Sequence, residues 1–276
     1  MALLIWSTLA VSVSLLSMVS PLLISGIGLI IGGCVGLPWI RSHHFKVRGV
    51  FIGSACMLGY HLIYFFSLQL TDPVAASLLH YLWPLFILLL TPLMIKNAVT
   101  STLHWIAGII GFIAACCTML GSNFSQNDML GLLLALASGF IWAYYSVWSK
   151  KFEHMPTELI SIYCLVAGFS SVIYFFIQFG TYQFFNIFNN LRIRDLIIII
   201  YIGIGPLGVA FYMWDFCLKN GSSQKIAVMS YSVPILSTVF LSVRLGQGLS
   251  SFFIVGVILL TISMVIVNLS SIYKNS

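Results

Sequence analysis

Charge is what this sequence has least of. Only 7% of its 276 residues are charged, six acidic and twelve basic, where a soluble domain carries roughly 25%. So few charges cannot cover a compact body of this size in water, which excludes a water-soluble globule. Cysteine pairing is also missing. Cys34, Cys56, Cys116, Cys117, Cys164 and Cys217 all fall inside apolar runs and form no CxxC pair. They read as small buried thiols, and neither a disulfide framework nor a metal site is expected. No HExxH, no ATP-binding loop, no Gly-x-Ser-x-Gly and no protease-type membrane Asp pair occurs, so no enzyme and no cofactor are expected. The basic residues lie singly or in small groups, and the net charge of +6 therefore suits membrane topology better than nucleic acid.

Apolar length is abundant: 60% of residues are hydrophobic and the mean hydropathy is +1.07. A helix needs about 20 residues to cross a hydrocarbon layer roughly 30 Å thick. Runs of that length predict helices near 3–19, 21–40, 49–69, 74–94, 103–121, 129–149, 158–179, 196–218, 224–243 and 251–271. Pro21 is almost the only punctuation between the first two, so one long broken helix is the alternative there. The first run has no basic leader and is expected to be retained. Strands are excluded because stretches such as Leu85 to Leu90 do not alternate. With an inner amino terminus, Arg41, Lys46, Arg48, Lys96, Lys150, Lys151, Lys219, Lys225 and Lys274 fall inside, against Arg192, Arg194 and Arg244 outside. That bias places both termini in the cytoplasm. The longest hydrophilic break, around 182–195, falls outside and is too short for a domain.

The expected fold is an all-α integral membrane protein of ten transmembrane helices, built as two inverted five-helix repeats over 1–122 and 128–272. The run Tyr81-Leu82-Trp83-Pro84-Leu85-Phe86 returns 150 residues later as Tyr231-Ser232-Val233-Pro234-Ile235-Leu236. The same offset pairs Phe66 with Phe216 and Leu68 with Leu218, and Trp6 weakly echoes Trp142. Five crossings are an odd number, so the second unit enters from the opposite side, as in many secondary transporters. Gly26, Gly28, Gly32, Gly33 and Gly36 line the second span, and Gly203, Gly205, Pro206 and Gly208 interrupt the eighth. Small residues allow close packing, and proline loosens a helix where it must bend. Pro84 and Pro234 hold matched places and are candidate hinges or gates.

Ionisable groups inside apolar spans are costly unless they face a cavity or a partner. His61, His80 and Asp215 are such groups. Each histidine reads either as a path residue or as a satisfied core donor; Asp215 reads either as a transport residue or as the i,i+4 partner of Lys219. Asp72 and Glu158 lie near span ends and read as interfacial charges or helix starts. Trp39, Trp105 and Tyr273 belong to the interfacial belts, whereas Tyr60, Tyr64, Tyr81, Trp142, Tyr145, Tyr163, Tyr212, Trp214 and Tyr231 lie deeper. Their polar hydrogens need partners that lipid cannot supply. Tyr60 and Tyr64, Tyr81 and Pro84, and Tyr212 and Asp215 are spaced to share helix faces. The candidate substrate-binding set is His80, Tyr81, Tyr60, His61, Tyr64, Trp142, Tyr163, Tyr212, Trp214, Asp215 and Tyr231.

The run from Asp72 to Leu79, leading into Tyr81-Leu82-Trp83-Pro84, together with the duplicated spans and basic inner loops, resembles the drug/metabolite transporter superfamily in its EamA-type branch. The Tyr-Leu-Trp-Pro segment is most similar to that of bacterial aromatic amino acid exporters. The resemblance implies a central cavity lined mainly by spans three, four, eight and nine. Two departures stand out. Arg244-Leu245-Gly246 replaces a glycine–glutamate pair, and His80 stands where the aromatic exporters usually carry asparagine. The expected protein is an inner-membrane exporter of small metabolites, foremost amino acids with aromatic or hydrophobic side chains, working by alternating access with possible proton coupling. The alternatives are an exporter or facilitator of another metabolite or drug, or a lipid translocator or channel on the same scaffold.

Overall fold

The computed structural model describes residues 1–16, 18–40, 47–71, 73–119, 129–246, 248 and 251–272. The expectations attached to Arg41, Lys46, Asp72, Tyr273 and Lys274 lie outside the described residues. Among the described residues the elements are all helices: α1 Ala2–Ser7, α2 Leu9–Ser14, α3 Pro21–Gly36, α4 Val47–Leu70, α5 Pro73–His80, α6 Trp83–Met94 and α7 Thr102–Met119 come first. Then follow α8 Met129–Lys151, α9 Ile160–Asn189, α10 Ile193–Ile204, α11 Ala210–Asn220, α12 Ser223–Met229, α13 Ser232–Leu245 and α14 Ser251–Ile272. Among the described residues, eight helical stretches are long and apolar enough to cross a membrane, and Ala2–Ser14 and Thr102–Cys117 are shorter apolar helices.

The first expected span, 3–19, is therefore shorter than its apolar run. Hydroxyls turn back on it: Ser7 donates to Leu4 O at 2.7 Å, Thr8 to Ile5 O at 2.7 Å, Ser12 to Thr8 O at 2.9 Å and Ser14 to Val11 O at 2.7 Å. Such bonds compete with the backbone ladder and bend helices. The seventh span runs longer than expected. Helix α9 continues to Asn189 across a turn at Gly180, so part of the stretch read as a hydrophilic break is helical.

The described chain forms two compact units. Unit 1 comprises Met1–Phe65 and Met155–Trp214, and unit 2 comprises Phe66–His154 and Asp215–Ser276.

Unit 1 is built on α3. Its glycines open two faces. A β-carbon at Gly33 would lie 2.8 Å from Ser161 O, and one at Gly26 would lie 3.3 Å from Gly168 O, so one face fits α9. A β-carbon at Gly32 would overlap the Leu207 carbonyl, which places the other face on the link between α10 and α11. Without a hydrophobic force between lipid-bathed helices, such backbone contact is what holds them. The link itself, Gly205–Val209, is a π-helical turn. Pro206 cannot donate to Ile202 O, and a widened turn absorbs the loss.

Unit 2 is shaped by proline. Helix α5 stops at His80 and α12 at Met229, and a helix resumes at Trp83 and Ser232. Pro84 and Pro234 explain both stops: each ring excludes a bond to the carbonyl four residues back, at His80 and Ser230. Short i→i−3 bonds bridge the gaps, Leu82 N to Leu79 O at 3.2 Å, Tyr231 N to Val228 O at 3.2 Å and Val233 N to Ser230 O at 3.0 Å. Elsewhere α7 and α14 are tied by Ser263 Oγ, which donates to Ala107 O at 2.6 Å.

Candidate functional site

In unit 1, α11 presents Phe211 and Trp214 three residues apart, on one face. Trp6 packs against both, with ring centroids 5.9 and 5.3 Å away, and His61 meets Phe211 edge-on at 6.0 Å. Tyr60 adjoins His61 at 4.4 Å and stacks with Tyr64 at 6.4 Å. Trp6 is held there because its indole N–H donates to Pro206 O at 2.9 Å, a carbonyl of the π turn. His61 Nδ1 bonds Met57 O at 2.8 Å. A carbonyl can only accept, so Nδ1 carries the proton and, in the neutral form of the ring, Nε2 is the acceptor.

Two candidates of unit 1 stand apart from this face. Tyr163 is buried with its ring against Gly53, between α9 and α4. Tyr212 sits one residue further round α11 than Phe211, and its hydroxyl donates to Gly32 O at 3.0 Å. Ser161 Oγ lies 3.0 Å from the Tyr212 hydroxyl oxygen, so with the tyrosine proton spent on Gly32 O the serine donates to Tyr212. Tyr212 thereby ties α11 to α3 and α9.

In unit 2 the break after α5 carries His80 and Tyr81, with ring centroids 6.2 Å apart. His80 is buried, and its Nδ1 lies 3.0 Å from Ser138 Oγ on α8. Ser138 gives its one proton to Ala135 O at 2.7 Å. His80 Nδ1 must then donate to Ser138 Oγ. Helix α8 approaches closely because position 139 is glycine: a β-carbon there would lie 2.7 Å from His80 O. One turn on, Trp142 is buried, edge-on to Trp83 at 6.5 Å and 5.6 Å from Tyr145.

Tyr231, at the second break, belongs to a separate cluster with Ala114, Ala115, Ile235, Phe253 and Leu260. Its hydroxyl is buried near the Leu85 backbone and meets no partner in hydrogen-bonding geometry among the described residues. Pro84 and Pro234 are both buried, just beyond the two breaks.

Asp215 is the charged candidate. Its carboxylate is 3% exposed and accepts from Ser149 Oγ through Oδ1, while Lys219 Nζ lies 2.6 Å from Oδ2 and is 10% exposed. Lys150 adds a bond to Lys219 O and an ion pair with Glu153 at 3.1 Å. A buried charge so paired is satisfied at the expense of both partners' hydration. Sequence reasoning missed Ser138, Ser149 and Phe211. The two serines are read as ordinary small residues until their partners on other helices are known, whereas Phe211 could have been found from its i,i+3 spacing to Trp214.

The EamA-like transporter family matches residues 1–120 and 129–269. An aromatic amino acid exporter, YddG of Ancylobacter novellus, is 32% identical over 263 residues, covering 88% of this chain and 85% of that protein. Its namesake in Escherichia coli K12 is 26% identical over 240 residues, 82% of this chain and 78% of the relative. A solved crystal structure matches with a TM-score of 0.89 at 29% identity, covering 100% of this chain and 96% of the other. The chain belongs to the EamA-like transporter family of the drug/metabolite transporter superfamily. It is a multi-pass integral membrane protein and a secondary transporter of small metabolites.

Proposed function

We propose that the protein exports amino acids with aromatic or hydrophobic side chains across a bacterial inner membrane by alternating access. In this reading ten spans form two inverted five-helix repeats, residues 1–122 and 128–272, with both termini in the cytoplasm. The observation that carries it is the pair of broken helices. Chain breaks 150 residues apart, at Tyr81 and Tyr231, precede Pro84 and Pro234 by the same three residues. Discontinuous helices in corresponding places of two halves mark the moving, substrate-handling parts of secondary transporters.

Substrate class follows from the rings. The face formed by Trp6, Tyr60, His61, Phe211 and Trp214 offers edges and planes for a flat side chain, at about 0.5–1.5 kcal/mol per well-placed ring pair beyond burial. With Nδ1 given to Met57 O, His61 Nε2 of the neutral ring would supply an acceptor that suits an ammonium donor. The names of the exporters reported above point to the same class. The substrate gradient supplies the driving force, and collapse of a proton gradient tests whether protons add to it.

The test is counterflow in proteoliposomes with labelled phenylalanine, leucine and lysine. Saturable exchange of phenylalanine ahead of lysine is expected, and His61→Ala should reduce it about two- to tenfold while the protein stays folded. Absence of exchange for all three amino acids removes the substrate assignment. Flux proportional to concentration identifies a channel, movement of labelled phospholipid identifies a translocator, and an unchanged rate after collapse of a proton gradient excludes coupling.

A further inference from the structure

The segment after Gly180 is not a loop. From Ile160 to Phe179 helix α9 has twenty residues, about 30 Å at 1.5 Å each, which is one hydrocarbon thickness. Gly180 then adopts φ 75° and ψ 166°, a left-handed conformation that glycine takes without steric cost, and the helix restarts in a new direction through Asn189. The next apolar stretch begins at Ile193. The chain between the two spans therefore stays at the membrane boundary.

This short helix is two-faced. At 100° per residue, Phe184, Phe185, Ile187 and Phe188 fall on one arc, while Gln183, Asn186 and Asn189 fall on the opposite one. Phe184 anchors it, 4.7 Å from Phe176 and stacked with Phe188 at 5.5 Å. Phe185 and Phe188 remain 59% and 47% exposed. Arg192 and Arg194 follow, both exposed, with Asp195 beside them. That carboxylate is engaged, since it accepts from Arg192 N at 3.0 Å as a helix cap and from Arg194 at 3.3 Å. The segment thus carries two guanidinium groups and one carboxylate, of which only that of Arg194 pairs with Asp195, and the local excess is positive.

We propose that residues 181–194 form an interfacial segment that binds anionic phospholipid headgroups through Arg192 and Arg194, with Phe185 and Phe188 seated at the headgroup–acyl boundary. An amphipathic helix with aromatic residues on one side and basic residues at its end fits that boundary. The test is hydrogen–deuterium exchange of the full-length protein in nanodiscs of phosphatidylcholine, with and without phosphatidylglycerol. Exchange across 181–189 is expected to slow when phosphatidylglycerol is added, by roughly fivefold for each arginine engaged. Arg192→Gln with Arg194→Gln should abolish that increment and leave 160–179 unchanged. Phe185→Ser with Phe188→Ser should speed exchange in both lipids. Equal exchange of the wild type in both lipids overturns the proposal, as does an undiminished increment in the arginine variant. Protection that follows protein concentration instead of lipid composition would assign the face to a second copy of the chain.

Discussion

Units 1 and 2 solve one problem, keeping helices together in a solvent as apolar as their own side chains, by different means. Unit 1 uses closeness. Glycines of α3 bring backbone against backbone, and Trp6 and Tyr212 spend their polar hydrogens on carbonyls at Pro206 and Gly32. Unit 2 has a close glycine approach too, Gly139 against His80 O, but adds polar side chains between helices and bends its backbone at proline: His80 bonds Ser138, Ser263 bonds Ala107 O, and Ser149 and Lys219 surround Asp215. A helix bundle in lipid can thus be held by dispersion over shared backbone surface or by a few strong polar ties, and the two should fail differently.

Substitutions can break that contrast. The largest loss is expected from Lys219→Met, which leaves Asp215 buried with its charge uncompensated. Stability should fall by about 3–5 kcal/mol, and Asp215→Leu added to it should recover most of the loss, as read by a double-mutant cycle on thermal unfolding. Next comes Gly32→Ala in unit 1. Its β-carbon would press on a backbone carbonyl that cannot rotate away, at about 1–3 kcal/mol. A contrasting change in unit 2, Gly108→Ala, meets only the side chains of Leu88 and Leu85 and should cost less than about 1 kcal/mol, because leucine ends can move. If both lower the melting temperature equally, the distinction between the units is lost.

Ser138→Ala should cost about 1 kcal/mol, since the tie from His80 is removed while the ring stays buried. Its added signature is an altered dependence of substrate counterflow on concentration, because His80 loses the bond that fixes its tautomer. The smallest effect is expected from Trp6→Phe, which keeps a ring against Phe211 and Trp214 but drops the donor to Pro206 O. A loss near 0.6 kcal/mol is expected, measurable as a small shift in the same unfolding transition.

Much of this was readable from hydropathy, because the length of an apolar run is itself the physical constraint of a membrane span. The prolines at 84 and 234 were visible because they act locally, on their own backbone, and the glycines of α3 because a run of small residues marks a face for close packing whatever element covers it. The i,i+4 pairing of Asp215 with Lys219 was also legible from spacing. What eluded sequence reasoning depends on other helices. Ser138 and Ser149 look like ordinary small residues until His80 and Asp215 stand opposite them. Tyr212 shares a helical spacing with Asp215, yet its hydroxyl is drawn to Gly32 and Ser161, a preference that only the packing of α3 and α9 creates. The helix beyond Gly180 was hidden by its asparagines and glutamine, which lowered mean hydropathy below the threshold for a span while the aromatic periodicity persisted.

The π turn at Gly205–Val209 amounts to one surplus residue stored in a helix. Because each residue turns an α-helix by about 100°, the surplus decides which way everything just after it looks. A family member without that extra residue would aim a different pair of side chains where this one aims Phe211 and Trp214. The choice of aromatic face is therefore written in the length of the backbone as much as in the identity of the rings.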